Sequence, residues 1–275
     1  GSCCPENPDW DCLWKRYRFA PGLPDELKLK FRNPEQLLRE AELVKNSRST
    51  TAGIFTVDSR KFFIKRSNTP NLTDRLRRIG RRSRAEVNLK ITRLLHDLDI
   101  RAPEVLMTLS TAPCGLPGAS YLVTEYFPEP MNAAENLASM LASAPLENWV
   151  RRMTGIMVAL HDAGIVHGDL KLVNWLALPD GKGDFQLGLF DFDGTAVGSG
   201  GCDPQLRRKE LARVVSSLKL ELDRRSLLPE LDIAELNRLC CEHYAAAGGP
   251  DFSGDSRLLK RVLRFLQRQR RKGRH

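Results

Sequence analysis

The chain has 275 residues, 41% hydrophobic and 28% charged, with 43 Lys and Arg against 34 Asp and Glu for a net charge of +9. That composition excludes wholesale disorder and a collagen or coiled-coil rod. No run of about 18 apolar residues exists to cross a membrane, and a chain this long buries about three quarters of its unfolded surface without needing disulfides or metal. The first twelve residues, GSCCPENPDWDC, lack a basic region followed by an apolar stretch, so no secretory signal is expected there. Seven cysteines, at 3, 4, 12, 114, 202, 240 and 241, are odd in number, include two vicinal doublets and form no CxxC pair. They read as reduced thiols of a cytoplasmic protein rather than a disulfide frame or a zinc site.

Residues 1–40 read as an extension rich in Pro, Trp and charge, with no evident place in a core; within it Trp14–Phe19 suits a short strand and Pro34–Leu43 a brief helix. From Ala41 to Lys65 the pattern is β, with Phe55–Val57 and Phe62–Lys65 joined by an Asp58-Ser59-Arg60 turn and preceded by a polar loop, Asn46–Thr51. A helical stretch, Asn71–Ile79, carries Leu72, Leu76 and Ile79 on one stripe. Ser83 is placed to cap a longer helix, Arg84–Leu98. Two more strands follow, Val105–Leu109 and Tyr121–Phe127. Beyond Pro130 the pattern is helical over Asn132–Leu141 and Leu146–Ala163, with Gly164 at a helix C-cap position. A loop, a strand over Phe185–Phe190, and helices over Pro204–Leu220, Ile233–Ala247 and Ser256–Gln269 complete the chain. The expected class is α+β: residues 41–125 with about five antiparallel strands and one principal helix, and residues 126–275 α-helical.

The sharpest motif is His167-Gly-Asp169-Leu-Lys171-Leu-Val-Asn174, of the form HxDxKxxN, between two short apolar segments. Asp191 ends an apolar strand 17 residues after Asn174, in LFDFDG; Lys65 ends a strand in FFIK, and Glu86 follows 21 residues later on a helix. In this order the four elements resemble the bilobal protein-kinase-like fold. The resemblance implies ATP as phosphoryl donor and Mg2+ as cofactor, and the chemistry explains the residue types. Asp169 would orient the acceptor hydroxyl and take its proton. Asn174 and Asp191 would supply the oxygen ligands a hard ion needs. Lys65 would hold the α- and β-phosphates, oriented by an ion pair with Glu86, and Lys171 would reach the γ-phosphate as a point charge. Backbone N–H groups of Ser49, Thr50 and Thr51 would cover the phosphates, although GxGxxG spacing is missing there. Adenine would pair with the backbone of the Glu125-Tyr126-Phe127 link.

Only about a dozen residues separate Asp191 from the helix near Pro204, and no Ala-Pro-Glu segment occurs, so the peptide platform of a protein kinase is missing. Asp193 stands where a protein kinase has Gly. From about Ala41 onward the chain is similar to the lipopolysaccharide kinase (Kdo/WaaP) family, through FFIKR, the basic segment LTDRLRRIGRRSRAEVNL, TEYF, VHGDLKLVNWL, LFDFDG and RRKELARVVSSL. That resemblance implies phosphorylation of a Kdo or heptose hydroxyl of the inner core at the cytoplasmic membrane face. Charge placement agrees: six Arg lie between Arg75 and Arg84, and nine Lys or Arg with no acid between Arg257 and His275. Such blocks suit an anionic membrane surface and a polyanionic acceptor. Arg75, Arg77, Arg78, Arg81 and Arg82 are the expected lipid-facing charges, and Leu259, Val262, Leu263 and Leu266 form a second apolar stripe with basic flanks. No nucleic-acid motif accompanies the charge. Two alternatives stay open: a kinase of a soluble small molecule or of protein Ser/Thr, and a non-catalytic pseudokinase acting as a binding module.

Overall fold

The computed structural model describes residues 13–69, 71–76, 79–113 and 115–272. They fall into two compact units, residues up to Thr92 with Pro103–Phe127, and Arg93–Ala102 with residues from Pro128 onward.

The first unit is built on a six-stranded antiparallel sheet of β1 (Leu13–Phe19), β2 (Glu42–Asn46), β3 (Thr50–Val57), β4 (Arg60–Ser67), β5 (Val105–Pro113) and β6 (Ser120–Glu125), in the order β1-β5-β6-β4-β3-β2. Asp58 and Ser59 both take positive φ, which gives the β3–β4 hairpin the twist its strands require. Alternation along β4 sends Phe62 and Ile64 to one face and Lys65 to the other. Phe62 and Ile64 join Phe31, Phe55, Met107, Leu109 and Val123 in the larger core cluster. Lys65 pairs in register with Leu122, which packs with Ala85, Leu89 and Val105 beneath helix α4 (Arg84–Asp97).

Residues 13–40 of the segment read as an extension are part of this unit, and the sheet has six strands instead of five. Helices α1 (Asp25–Phe31) and α2 (Pro34–Glu40) bury Leu27, Phe31, Leu37 and Leu38 against the sheet. The ring of Phe31 meets Phe55 and Phe62 edge-on, with centroids 5.9 and 5.3 Å away. Arg66 donates to both oxygens of Glu35 at 3.0 Å, and Tyr121 Oη also donates to that carboxylate, tying α2 to β4 and β6. These apolar positions signal a core only once a sheet lies beneath them.

Helix α3 is short (Leu72–Leu76), and Leu76 and Ile79 are 50% and 55% exposed. Arg75 is not a lipid-facing charge. Its guanidinium donates to the carbonyls of Pro113, Leu116 and Pro117, fastening α3 to the β5–β6 loop. Arg77 and Arg78 lie outside the described residues, as do Cys3, Cys4, Cys12 and Cys114.

The second unit is mainly helical: α5 (Leu137–Ser143), α6 (Leu146–Asp162), α7 (Pro204–Arg224), α8 (Ile233–Ala246) and α9 (Ser256–Lys272). Two short ribbons, β7 (Ile165–Val166) with β10 (Ala196–Val197) and β8 (Trp175–Pro179) with β9 (Phe185–Leu189), carry the loops between them. Gly164 takes φ +73° after α6, and its N–H donates to His161 O. Asn132 caps a turn instead of lying inside a helix, its Oδ1 accepting from Glu135 N at 3.0 Å, so α5 starts later than its spacing suggests. The apolar stripe of α9 is largely core: Val262 and Leu266, with Leu258, are buried where α9 packs on α7, whereas Leu263 is exposed. Among the described residues no helix is long and apolar enough to cross a membrane.

Candidate active site

The HxDxKxxN motif forms the loop after β7 and a short 3-10 turn, Leu172–Asn174. Glu210 on α7, 3% exposed, holds this loop from beneath. Its Oε2 accepts from His167 N at 3.0 Å, and its Oε1 from Gly168 N at 2.6 Å. The same carboxylate lies 3.2 Å from His161 Nε2, whose Nδ1 meets Tyr244 Oη at 2.7 Å. Ser217 Oγ accepts from Leu172 N at 2.9 Å and holds the far side.

His167 packs edge-on against Phe192 and bonds through Nε2 to Phe190 O at 3.0 Å, while its Nδ1 faces Asp169 N at 3.4 Å. A ring that donates from Nε2 and accepts at Nδ1 is neutral. Burial also lowers the His167 pKa, outweighing Glu210, the Phe190 carbonyl and the nearby aspartates. His167 is therefore a strut between the loop and the strand that leads to Asp191.

Gly168 takes φ +89°, and a Cβ there would meet Gly194 O at 2.4 Å. Gly168→Ala is expected to cost at least about 1–3 kcal/mol from the backbone conformation alone. It should also lower turnover, because the contact sits beside Asp169. Urea unfolding and phosphate-transfer rates check both effects.

Asp169 Oδ1 accepts from Arg213 Nε at 3.0 Å and Nη2 at 2.8 Å; Oδ2 lies 3.0 Å from Lys171 Nζ. Partial burial works to raise the Asp169 pKa, but hydrogen bonds and charge from Lys171 and Arg213 outweigh it and hold the carboxyl below its ordinary 3.8. A depressed value means that ionised Asp169 favours the fold above about pH 4, and that this support disappears as pH falls through the folded value. Arg213→Gln removes one of the two cations, so the acid limb of kcat/KM assigned to Asp169 should move to higher pH. A pH–rate profile of the variant beside the parent measures this, and coincident acid limbs would show that Arg213 does not tune Asp169.

Asn174 is 5% exposed, and its Nδ2 donates to Asp169 O at 2.9 Å, with Oδ2 3.5 Å away. With the amide nitrogen so committed, Oδ1 has no protein partner among the described residues. That is the atom a magnesium ion needs. Asp191 is exposed at the end of β9 with φ +62° and ψ +69°, a left-handed conformation that Asp tolerates better than most residues. An amide oxygen and a carboxylate are the hard donors that suit Mg2+.

The remaining sequence-predicted residues belong to the first unit. Lys65 lies on β4, half-buried. Glu86 closes a capping box with Ser83, each backbone N–H donating to the other's side chain at 3.2 Å. Its ion pairs run to Arg16 at 3.7 Å and Arg18 at 3.8 Å, not to Lys65. The cause is β1: Arg16 and Arg18 pair in register with Ser110 and Thr108, on the sheet face that α4 covers. Thr50 and Thr51 are buried at the start of β3, and Thr50 N donates to Ser47 Oγ at 3.1 Å. Of the three expected phosphate-covering residues, only Ser49 lies outside the strand. Glu125 ends β6, and its Oε1 accepts from Glu104 N at 2.7 Å; Phe127 follows, half-buried.

Sequence reasoning missed Glu210 and Arg213, which hold the loop and its carboxylate. One signal existed for Glu210: it shares a helical stripe with Val214 and Ser217, so an acid stands on the buried side of α7.

The model of the lipopolysaccharide kinase (Kdo/WaaP) family matches residues 31–239. No curated protein matches the chain. The solved structure described as WaaP in complex with acyl carrier protein is similar at TM-score 0.62 and 18% identity, over 92% of this chain and 98% of that one. Its likeness shows the kinase-like fold. A second structure, the Cydia pomonella granulovirus kinase PK-1, gives TM-score 0.39 at 16% identity over 64% of this chain and 58% of that one.

Proposed function

The chain belongs to the lipopolysaccharide kinase (Kdo/WaaP) family, and from that premise we propose that it transfers the γ-phosphoryl of ATP to a hydroxyl of an inner-core Kdo or heptose at the inner face of the cytoplasmic membrane. In the reaction a bond forms between the acceptor oxygen and γ-phosphorus. The bond from γ-phosphorus to the bridging oxygen breaks, its electron pair leaves with ADP, and the acceptor proton passes to Asp169. The observation that carries this reading is the setting of Asp169: a half-buried carboxylate kept ionised by Arg213 and Lys171, in a loop anchored by Glu210. A positioned, ionised carboxylate orients a hydroxyl in the loose transition state of phosphoryl transfer. Lys171, 3.0 Å from Asp169, supplies positive charge beside the incoming phosphoryl group. Lys65 is assigned to the α- and β-phosphates, and the link from Glu125 to Phe127 to adenine.

Asn174 Oδ1 and the Asp191 carboxylate would hold Mg2+, which when bound draws charge from the phosphates. Asp191→Ala should therefore weaken nucleotide binding in the presence of magnesium and leave metal-free binding nearly unchanged. Nucleotide titrations across a magnesium series measure it; identical affinities for variant and parent throughout would remove Asp191 from the ligand set. A membrane-facing orientation is supported by the exposed Leu76 and Ile79 beside the exposed Arg81 and Arg82.

The deciding experiment follows labelled phosphate from ATP into defined core-sugar acceptors, soluble or lipid-anchored in anionic vesicles, with a protein acceptor in parallel. Label in the sugar, and more of it on the vesicle-borne acceptor, is the expected result. Label in protein alone would overturn the assignment.

A further inference from the structure

A cavity of about 530 Å³ opens beside Asp169, within the ~300–1,000 Å³ range of small-ligand sites. It lies wholly in the second unit. Its walls are Asp169 of the loop, Lys209 and Arg213 of α7, and Phe265, Arg268 and Arg271 of α9. Burial of Leu258, Val262 and Leu266 seats α9 against α7 and so brings the end of the basic C-terminal helix to the catalytic loop.

The charges around this cavity are unbalanced. Asp169 is engaged by Arg213 and Lys171, and both oxygens of Glu210 are engaged by the loop backbone and His161. Among the described residues, Lys209, Arg268 and Arg271 have no carboxylate partner. Nearby cations on the same two helices do: Arg208 pairs with Asp255, and both Lys219 and Arg270 pair with Asp223. Three unpaired cations around a concavity repel one another and focus a positive potential into it, which an anion relieves. Arginine forks suit the planar oxygens of a carboxylate or phosphate. Phe265, under the Arg213 guanidinium at 5.3 Å, adds an apolar wall.

The geometry points to an acceptor subsite for an acidic sugar, whose carboxylate or phosphate is held by Lys209, Arg268 and Arg271 while a hydroxyl faces Asp169. This deepens the proposed function and rests on it for the identity of the reaction, but the binding claim can be tested alone. α9 then acts as a specificity element: it admits acceptors that carry an anion beside the reacting hydroxyl.

The test compares Arg268→Gln/Arg271→Gln with Arg270→Gln. The control removes one charge, against two in the double variant, from the same helix at a residue that pairs with Asp223. Four acceptors are used: a Kdo glycoside, the same glycoside with its carboxylate reduced to the alcohol, and a heptoside with and without phosphate. Arg268 and Arg271 are exposed and unpaired, and thermal unfolding of each variant verifies the fold. The double variant should raise KM for the acidic acceptor at least ~10-fold and leave its uncharged counterpart unchanged. Arg270→Gln should keep the parent's selectivity. The acceptor pair that loses selectivity identifies carboxylate or phosphate as the anion recognised. Unchanged selectivity in the double variant, or an equal loss in Arg270→Gln, overturns the subsite. If the parent phosphorylates no sugar, the proposed function falls, and calorimetric binding of the same four compounds decides the subsite. Charge-selective binding that is lost in the double variant upholds it, and absence of such binding overturns it.

Discussion

Asp169→Asn is expected to lower turnover by at least ~10²-fold while leaving the fold and nucleotide affinity nearly intact. The amide is isosteric, so its oxygen can still accept both bonds from Arg213, which in the parent go to one atom, Oδ1. Its NH2 group then replaces Oδ2, the oxygen that faces Lys171 Nζ at 3.0 Å. That position turns from acceptor to donor. It repels Lys171 and cannot take a proton from an acceptor hydroxyl. The stability cost is small, about 1 kcal/mol or less, because the ion pair is more than a third exposed and solvent screens it. Steady-state phosphate transfer and nucleotide titration, measured together, separate chemistry from binding. Turnover within a few-fold of the parent would remove Asp169 from the mechanism.

Glu210→Ala should destabilise the second unit by roughly 2–6 kcal/mol. The carboxylate is 3% exposed and serves three donors: His167 N, Gly168 N and His161 Nε2. Truncation leaves two buried backbone N–H groups without an acceptor, at about 1–3 kcal/mol each before relaxation. It also opens a cavity under the loop. Glu210→Gln should lie between the alanine variant and the parent, since one amide oxygen cannot replace both carboxylate oxygens. Urea unfolding gives the stabilities, and turnover should fall with them because Gly168 adjoins Asp169. A loss under about 1 kcal/mol in the alanine variant would mean that water or a relaxed loop replaces the anchor.

Several features of this protein were legible because their causes are local. The Ser83 cap of α4, the left-handed Gly164 after α6 and the turn at Asp58-Ser59 each depend on residues a few positions apart. The HxDxKxxN spacing likewise marked Asp169 and Asn174, which lie five residues apart and are joined by a hydrogen bond. Strand and helix types followed from periodicity, and the family from motifs in order from about Ala41 onward, in agreement with the family match over residues 31–239.

Tertiary structure decided what depends on distant partners. Residues 13–40 became core and a sixth strand because β5 offers an open edge to β1, and because the sheet presents Phe55 and Phe62 to Phe31. That strand in turn delivered Arg16 and Arg18 to Glu86, a choice of partner that helix periodicity cannot foresee. Arg75 was drawn from the basic cluster by loop carbonyls 38–42 residues away. Glu210 and Arg213 reach the catalytic loop across 42–44 residues, and nothing in their immediate neighbourhood fixes the helix rotation that aims them there. The basic C-terminal helix was visible as charge, yet its place beside Asp169 follows from the burial of Leu258, Val262 and Leu266 against α7. Sequence spacing specifies which side chains share a face, and only packing specifies what that face meets.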